Sequence, residues 1–315
     1  MQSLSGRQSL PGGQSLPGRR GVLGCAMAAI AAGMLSSCSV SSRKDSPMRF
    51  DYGEDPSQFA ELFLPEGRRH EELIVIIHGG FWRSGYGASL GVPLAEDLRR
   101  LGYVCWNIEY RRVGNGGGWP ATFDDVAAAI DELRDVREEH PELGLQLDQV
   151  ITLGHSAGGQ LAVWAAGRGK LAGSATAAAA GSSADDSAAL PGGAPRVDVA
   201  GAISQAGVLD LARAQRERVG GRAVSDLIGG SPEGRPERYA VADPAAIVPL
   251  DVPVYCVHAR DDNEVPFDQS AGYVDAAKSA GGRARLVEVT GGHYDVIDPQ
   301  TEAWQAIVDL LADWG

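Results

Sequence analysis

One glycine-rich turn constrains the fold of this chain more than any other feature. Residues 150–160 read VITLGHSAGGQ, which places the pattern Gly-x-Ser-x-Gly between an apolar run and a candidate helix start. A serine in this context stands on a sharp strand-to-helix corner, with its hydroxyl exposed at the carboxyl end of a sheet. Gly154 and Gly158 would allow the strand and the helix to approach closely. The pattern predicts Ser156 as a nucleophile and the N–H group of Ala157 as a donor to a developing oxyanion.

The pattern is short and the chain contains 42 glycines, so a chance match is the alternative interpretation. An alcohol at its free pKa is a poor nucleophile, and it needs a base, an acid that orients the base, and donors for the oxyanion. Whether the downstream sequence supplies these groups decides between the two interpretations.

Strand-like and helix-like patterns alternate along residues 49–315, which predicts one α/β domain with a mostly parallel central sheet flanked by helices. The run Leu73–Ile77 is apolar throughout, as expected for a strand covered on both faces. The predicted strands are 49–52, 59–64, 73–77, 103–108, 150–153, 199–204, 254–258 and 285–289, and the predicted helices are 92–101, 123–140, 160–166 and 304–314.

Two segments interrupt this alternation. Residues 171–196 are rich in Ala, Gly, Ser and Pro and lack a period, which predicts a flexible insertion. Residues 209–250 are helical and loop-like, with four prolines, and follow a strand at the end of the sheet where α/β enzymes bind ligands. We expect this second segment to form a small lid-like cover.

The acid and the base are predicted just after two later strands. The run 254–258 leads into Asp261 and Asp262, followed by Val265 and Pro266, and the run 285–289 leads into a glycine turn and His293. The order of nucleophile, acid and histidine is that of a triad in which each later member follows its own strand. The alternatives are solvated loop acids or a helix cap, and a structural histidine.

The oxyanion donors are predicted after the strand at 73–77, in the sequence His78-Gly-Gly-Phe-Trp82. Glycine lets the backbone come close to a bound carbonyl, so we expect the N–H groups of Gly80 and Phe81 to join that of Ala157. His78 precedes the nucleophile and lies within this loop. We therefore expect it to brace the loop and not to act as the base.

Charge and composition exclude several other classes. A formal net charge of −13 disfavours nucleic acid and anionic membrane surfaces as partners. The sequence has no Cys-x-x-Cys pair, its histidines are scattered, and the glycines at 114–118 lack a following Lys-Ser/Thr, so neither a zinc site nor a phosphate loop is predicted. No metal or organic cofactor is expected, and the sequence does not specify an oligomeric state.

The amino terminus has the pattern of an export signal. Two arginines precede an apolar run from 22 to 35, and Leu-Ser-Ser-Cys38 resembles the bacterial lipobox, in which the cysteine is lipid-modified. This predicts a signal peptide over 1–37 and a polar tether over 38–48. It places the mature chain in the bacterial cell envelope as a lipoprotein attached to the membrane only through Cys38. An ordinary secretion signal with an incidental cysteine is the alternative.

Five motifs together resemble the α/β-hydrolase superfamily, and more narrowly the small bacterial esterase/lipase group related to kynurenine formamidases and feruloyl-esterase-like hydrolases. They are His78-Gly-Gly-Phe-Trp82, Asn107-Ile-Glu-Tyr-Arg111, Gly154-His-Ser-Ala-Gly158, Asp262-x-x-Val-Pro266 and Gly292-His-Tyr-Asp-Val-Ile-Asp298. The resemblance implies Ser156 as nucleophile, Asp262 as orienting acid and His293 as base. Ala259 stands where relatives usually have glycine, and an export signal is at odds with a cytosolic kynurenine formamidase.

These observations predict a serine hydrolase that cleaves carboxylic esters of small molecules through an acyl-enzyme. An amidase or formamidase, a small peptidase, and a ligand-binding module on the same fold are the alternatives. Phe81, Trp82, Trp119 and Tyr294 are predicted to line the substrate pocket, and for each of them packing in the core is an equal alternative.

Overall fold

The computed structural model describes residues 46–68, 70–179 and 190–314, without the side chains of 175–179. The predicted signal peptide, Cys38 and most of the tether lie outside the described residues. No helix within the described ranges is long and apolar enough to cross a membrane.

An eight-stranded sheet organises the chain, with the strand order β1-β2-β4-β3-β5-β6-β7-β8. β1 and β2 pair antiparallel, β2 pairs antiparallel with β4, and all later neighbours are parallel. The predicted α/β fold with a mostly parallel sheet is therefore confirmed. The strands are β1 Met48–Asp51, β2 Phe59–Phe63, β3 Leu73–Ile77, β4 Val104–Ile108, β5 Val150–His155, β6 Val199–Gln205, β7 Val254–Ala259 and β8 Ala284–Val289.

Helices cover both faces of this sheet, because the side chains of the central strands are apolar on both faces. On one face, Trp106 of β4 shares a core with Ile130 and Trp164, and on the other face Ile74 of β3 packs with Trp304. The helices are α1 Val92–Leu101, α2 Ala121–Glu139, α3 Ala157–Ala166, α4 Arg168–Ala179, α5 Leu211–Glu217, α6 Ala223–Ile228, α7 Pro236–Ala242, α8 Asp268–Ser279 and α9 Glu302–Ala312.

Local chemistry sets the ends of several helices. α1 ends at Gly102, whose φ of 103° is left-handed and whose N–H caps the carbonyls of Leu98 and Arg99. α9 begins after Thr301, whose hydroxyl accepts the N–H of Trp304 at 3.1 Å. Such caps satisfy backbone groups that a helix end leaves unpaired.

Two helices depart from the sequence expectations. α8 was not predicted, because its sequence DQSAGYVDAAKS is mostly small or polar and offers only a narrow apolar stripe around Tyr273 and Val274. The segment 171–196 is predicted to be a flexible insertion without regular structure, and its first residues lie within α4, which continues to Ala179. The alanines that gave this segment no period are strong helix formers.

The lid-like segment 209–250 contains three short helices, α5, α6 and α7. Leu227, Ile228 and Tyr239 from this segment are buried in the same core as Phe123 and Trp164. The segment is therefore anchored on the body of the fold by apolar side chains.

Candidate active site

Ser156 lies at the corner between β5 and α3, with φ 55° and ψ −117°. A non-glycine residue at positive φ is strained, and such strain is typical of a nucleophile elbow. A Cβ atom on Gly154 would overlap the carbonyl of Gly158, and one on Gly158 would overlap the carbonyl of Ile77. Both glycines are therefore required for the close approach of strand and helix at this corner.

Asp262 and His293 meet at the carboxyl ends of β7 and β8. His293 Nδ1 lies 2.7 Å from Asp262 Oδ2, and the two side chains are 4% and 0% exposed. The neighbouring Asp261 is exposed, so the structure brings only the second of the two aspartates to the histidine. Burial would raise the pKa of Asp262, but hydrogen bonds from His258, His293 and the N–H of Val265 hold that pKa well below its usual value.

His155 holds the His293 loop against the serine corner. Its Nε2 donates to the carbonyl oxygen of His293 at 2.9 Å, and the two imidazole rings are 4.6 Å apart between centroids. Burial lowers the pKa of His155 to about 3, so this imidazole stays neutral near pH 7. This role was not predicted from the sequence, because His155 occupies a variable position within Gly-x-Ser-x-Gly.

Gln205, the last residue of β6, makes a second connection between these loops. Its carbonyl oxygen accepts the N–H of Ser156 at 2.8 Å, and its side-chain amide donates to the carbonyl of Val296. Since β6 lies between β5 and β7 in the sheet, one buried residue links the serine corner to the turn that follows His293. This connection was not predicted from the sequence either.

The loop after β3 contains three consecutive residues with left-handed backbone, Gly80 at φ 113°, Phe81 at 50° and Trp82 at 54°. The preceding Gly79 lies against the serine corner, because a Cβ on it would be 3.1 Å from the Cβ of Ser156. Across the described part of the chain, the N–H groups of Gly80, Phe81 and Ala157 have no acceptor. These are the three donors that the sequence predicts for an oxyanion.

A buried carboxylate braces this loop from behind. Glu109 accepts hydrogen bonds from His78 Nε2 at 3.0 Å and from the N–H of Ala88 at 2.9 Å, and it forms an ion pair with Arg112. Burial would raise the pKa of Glu109, but the hydrogen bond from His78 and its other donors lower it. His78 thus lies in the bracing position expected from the sequence. Glu109 and Arg112 were not predicted as partners, since their contacts depend on tertiary structure.

Two of the four predicted pocket residues lie in different surroundings, one in the core and one on the surface. Trp82 is fully buried, and its indole N–H donates to Gln160 Oε1 at 3.1 Å, so the predicted pocket role of Trp82 is corrected to a core role. Trp82 is buried because the left-handed turn directs its indole into the core beneath the loop. Tyr294 is 59% exposed, and its ring lies 5.2 Å from that of His293, which places it at the rim of the site.

The other two predicted pocket residues are half-buried and contact the segment 209–250. The ring of Phe81 lies directly against Gly220, and the N–H of Trp119 donates to the carbonyl of Leu227 at 2.7 Å. The lid-like segment therefore borders the predicted oxyanion loop.

Within residues 46–68, 70–179 and 190–314, no group of three or more His, Cys, Asp or Glu side chains is arranged to hold a metal ion. Cys105 on β4 and Cys256 on β7 are free and buried. The chemical groups assembled at this edge of the sheet are thus a strained serine, a histidine bonded to a carboxylate, and unpaired backbone N–H groups.

Comparison with protein-family models gives a match to the BD-FAE family over residues 60–276. The match includes the predicted oxyanion loop, the serine corner and Asp262, and it ends before His293. It covers more than half of the chain.

Two curated proteins of Mycobacterium tuberculosis are similar in sequence. Esterase LipC is 26% identical over 258 residues, and Esterase LipQ is 29% identical over 256 residues. These matches cover 78% and 80% of this chain but only 59% and 56% of the two relatives. The chain thus spans less than two thirds of the length of either protein.

Among solved structures, a truncated carbohydrate esterase from gut microbiota superposes with a TM-score of 0.69 at 22% identity. The superposition covers 86% of this chain and 98% of the other. At this identity the likeness shows a shared fold.

Proposed function

The chain belongs to the BD-FAE family, and from this membership and the site geometry we propose that it is a serine hydrolase of small-molecule carboxylic esters. The observation that carries the proposal is the hydrogen bond between His293 and the buried carboxylate of Asp262. His155, the residue before the strained Ser156, contacts the same histidine. Two similar proteins bear the name esterase, which supports ester cleavage over the alternatives.

In the proposed reaction, Ser156 Oγ attacks the ester carbonyl carbon while His293 Nε2 accepts the hydroxyl proton. The carbonyl oxygen becomes an oxyanion that accepts hydrogen bonds from the N–H groups of Gly80, Phe81 and Ala157. The tetrahedral intermediate collapses, the C–O bond to the alcohol breaks, and His293 protonates the departing alkoxide. Water then attacks the acyl-enzyme with His293 again as base, which releases the acid and restores Ser156.

Asp262 has two tasks in this scheme. Its hydrogen bond to Nδ1 of His293 fixes the tautomer that leaves Nε2 free to face Ser156. Because its pKa is lowered, the carboxylate stays charged near neutral pH and stabilises the imidazolium that forms during attack. His155 and Gln205 hold the loop of His293 against the serine corner.

We also propose that residues 209–250 cover bound substrate. Arg83 donates to the carbonyl of Gly220 at 2.9 Å, which ties this segment to the strained oxyanion loop. The half-buried Phe81 and Trp119 lie between the segment and the body of the fold and supply apolar surface for an acyl or aromatic group.

Steady-state hydrolysis by the purified chain tests the proposed activity. We expect turnover of short p-nitrophenyl esters, and loss of that turnover in Ser156→Ala without a change in the melting temperature. Turnover of N-formyl amides or dipeptides in preference to esters would support the amidase or peptidase alternative. Wild-type and Ser156→Ala proteins with equal and negligible rates on all three classes would support a binding module.

The proposed location is the bacterial cell envelope, through lipid modification of Cys38. The sequence pattern of signal and lipobox supports this location, and that pattern lies outside the described residues. Expression of the full chain in a bacterium should give a membrane-bound protein, and Cys38→Ser should release it. Membrane association that persists in Cys38→Ser would contradict the proposal.

A further inference from the structure

Asp262 contacts a second histidine that the mechanism does not use. His258 lies on β7, four residues before Asp262, and is fully buried. Its Nε2 is 3.2 Å from Asp262 Oδ2, the same oxygen that accepts the hydrogen bond of His293 Nδ1. Two imidazoles therefore share one carboxylate oxygen.

The partners of His258 define which ring nitrogen carries its proton. Nε2 is also 3.1 Å from the carbonyl oxygen of Val265, which can only accept, so Nε2 donates. Nδ1 is 2.8 Å from the hydroxyl of Ser270, which can donate to it. With a proton on Nε2, this one N–H lies between two acceptors, the carbonyl oxygen of Val265 and Asp262 Oδ2.

The other oxygen of the Asp262 carboxylate also accepts hydrogen bonds. Asp262 Oδ1 accepts the N–H groups of Glu264 at 2.8 Å and Val265 at 2.9 Å. Two backbone N–H groups and His293 donate to the carboxylate, and His258 Nε2 contacts it at 3.2 Å. His293 is thus only one of four groups that share its negative charge. A carboxylate with many donors binds each individual donor less strongly.

We propose that His258 is a positioning residue, which acts through Asp262 to orient the base His293 and to limit how strongly the carboxylate stabilises the protonated base. This inference rests on the proposed function, because it assigns His293 as the base. Without the contact of the His258 N–H with Oδ2, the carboxylate would be a stronger acceptor for His293. The base would then be protonated at a higher pH.

The other ionisable groups around this pair do not take the place of His258. His155 donates to the carbonyl of His293 and not to the carboxylate. Burial raises the pKa of the Cys256 thiol beside Ser270 to about 12, so it is neutral. Other charged or titratable groups on the surrounding elements include Asp261 and Glu264 on the loop of the acid, and Tyr294 and Asp295 beside the base, where Asp295 accepts the N–H of Gly292. They also include Arg260 paired with Glu288 of β8, and Asp268 of α8 paired with Arg213.

The pH dependence of kcat/KM in a matched pair of variants tests the proposal. His258→Gln can keep a donor near the position of Nε2, whereas His258→Met has a similar volume and no donor. We expect the acid limb of the profile to move to higher pH by about 0.5 unit in His258→Met. His258→Gln should stay close to the wild-type profile. Equal profiles for all three proteins, or equal shifts in both variants, would overturn the proposal.

A second measurement on the wild-type protein does not depend on activity or on variant folding. In protein labelled with ¹⁵N-histidine, NMR should show His258 protonated at Nε2, and Ser270→Ala should shift its Nδ1 resonance. Protonation at Nδ1 alone would overturn the proposal. An inactive wild-type protein with the expected His258 signals would instead count against the proposed function.

Discussion

At the residue scale, the site depends on which of two adjacent aspartates contacts the histidine. The Asp262 side chain is buried and bonded to His293, while Asp261 is exposed one residue earlier. Position in sequence left both candidates open, because either aspartate follows the same strand. Only the turn after β7, which directs one carboxylate inward and the other outward, separates them.

Replacement of each aspartate by asparagine should therefore give very different enzymes. Asp262→Asn keeps the shape but removes the charge and can favour the wrong tautomer of His293, so we expect kcat to fall about 10³- to 10⁴-fold. Asp261→Asn is the matched control and should retain kcat to within about threefold, because exposed charges contribute little. Comparable losses of kcat in the two variants would contradict the assignment.

His155 gives the fold a pH dependence of its own. Its pKa is lowered by burial from 6.5 to about 3, so unfolding takes up a proton between these two values. The part of the free energy of unfolding that depends on neutral His155 is fully present above about pH 6.5. It is lost as the pH falls toward 3, and the free energy of unfolding then decreases by up to about 1.4 kcal/mol per pH unit.

The free energy of unfolding, measured by denaturant titration between pH 7 and pH 4, tests this prediction. His155→Gln cannot take up the proton, so its stability should fall less steeply than that of the wild type over this range. Parallel curves for the two proteins would show that His155 is not held neutral by the fold.

At the element scale, the junction of β5 and α3 is the most tightly packed part of the site. The local sequence pattern predicted the strand, the corner and the helix, because the glycines at 154 and 158 indicate a close approach of strand and helix that a side chain would block. It did not predict α8, whose small and polar residues carry little periodic signal, or the helical start of 171–196. The contacts of Glu109 with His78 and of Gln205 with Val296 were also missed, since these partners lie far apart in sequence. The contact of His258 with Asp262 was missed because it depends on the turn that follows β7.

A pair of glycine-to-alanine substitutions separates close packing from helix propensity. In Gly158→Ala the new methyl group would overlap the carbonyl of Ile77, so we expect a loss of more than about 2 kcal/mol in the free energy of unfolding. At Gly169 in α4 a new methyl group would have no neighbouring atom within 4 Å, so Gly169→Ala should be neutral or stabilising by up to about 1 kcal/mol. Similar effects of both substitutions on thermal or chemical unfolding would contradict the packing argument.

At the scale of the whole molecule, the sheet order explains how distant residues become one site. The carboxyl ends of β3, β5, β7 and β8 lie at one edge of the sheet, and each is followed by one part of the proposed site: the predicted oxyanion loop, Ser156, Asp262 and His293. The strands and the candidate site residues that follow them could be predicted from the sequence, because both are recognised from short local patterns. The position of β4 between β2 and β3 and the antiparallel direction of β2 could not, because strand order depends on packing of the whole sheet.

The site that mass spectrometry finds after reaction with a fluorophosphonate tests the central claim most directly. We predict a single phosphonate adduct on Ser156 of the wild-type protein, with much slower labelling in His293→Ala and none at that position in Ser156→Ala. An unmodified Ser156, with the adduct elsewhere or absent, would contradict the assignment of Ser156 as the nucleophile.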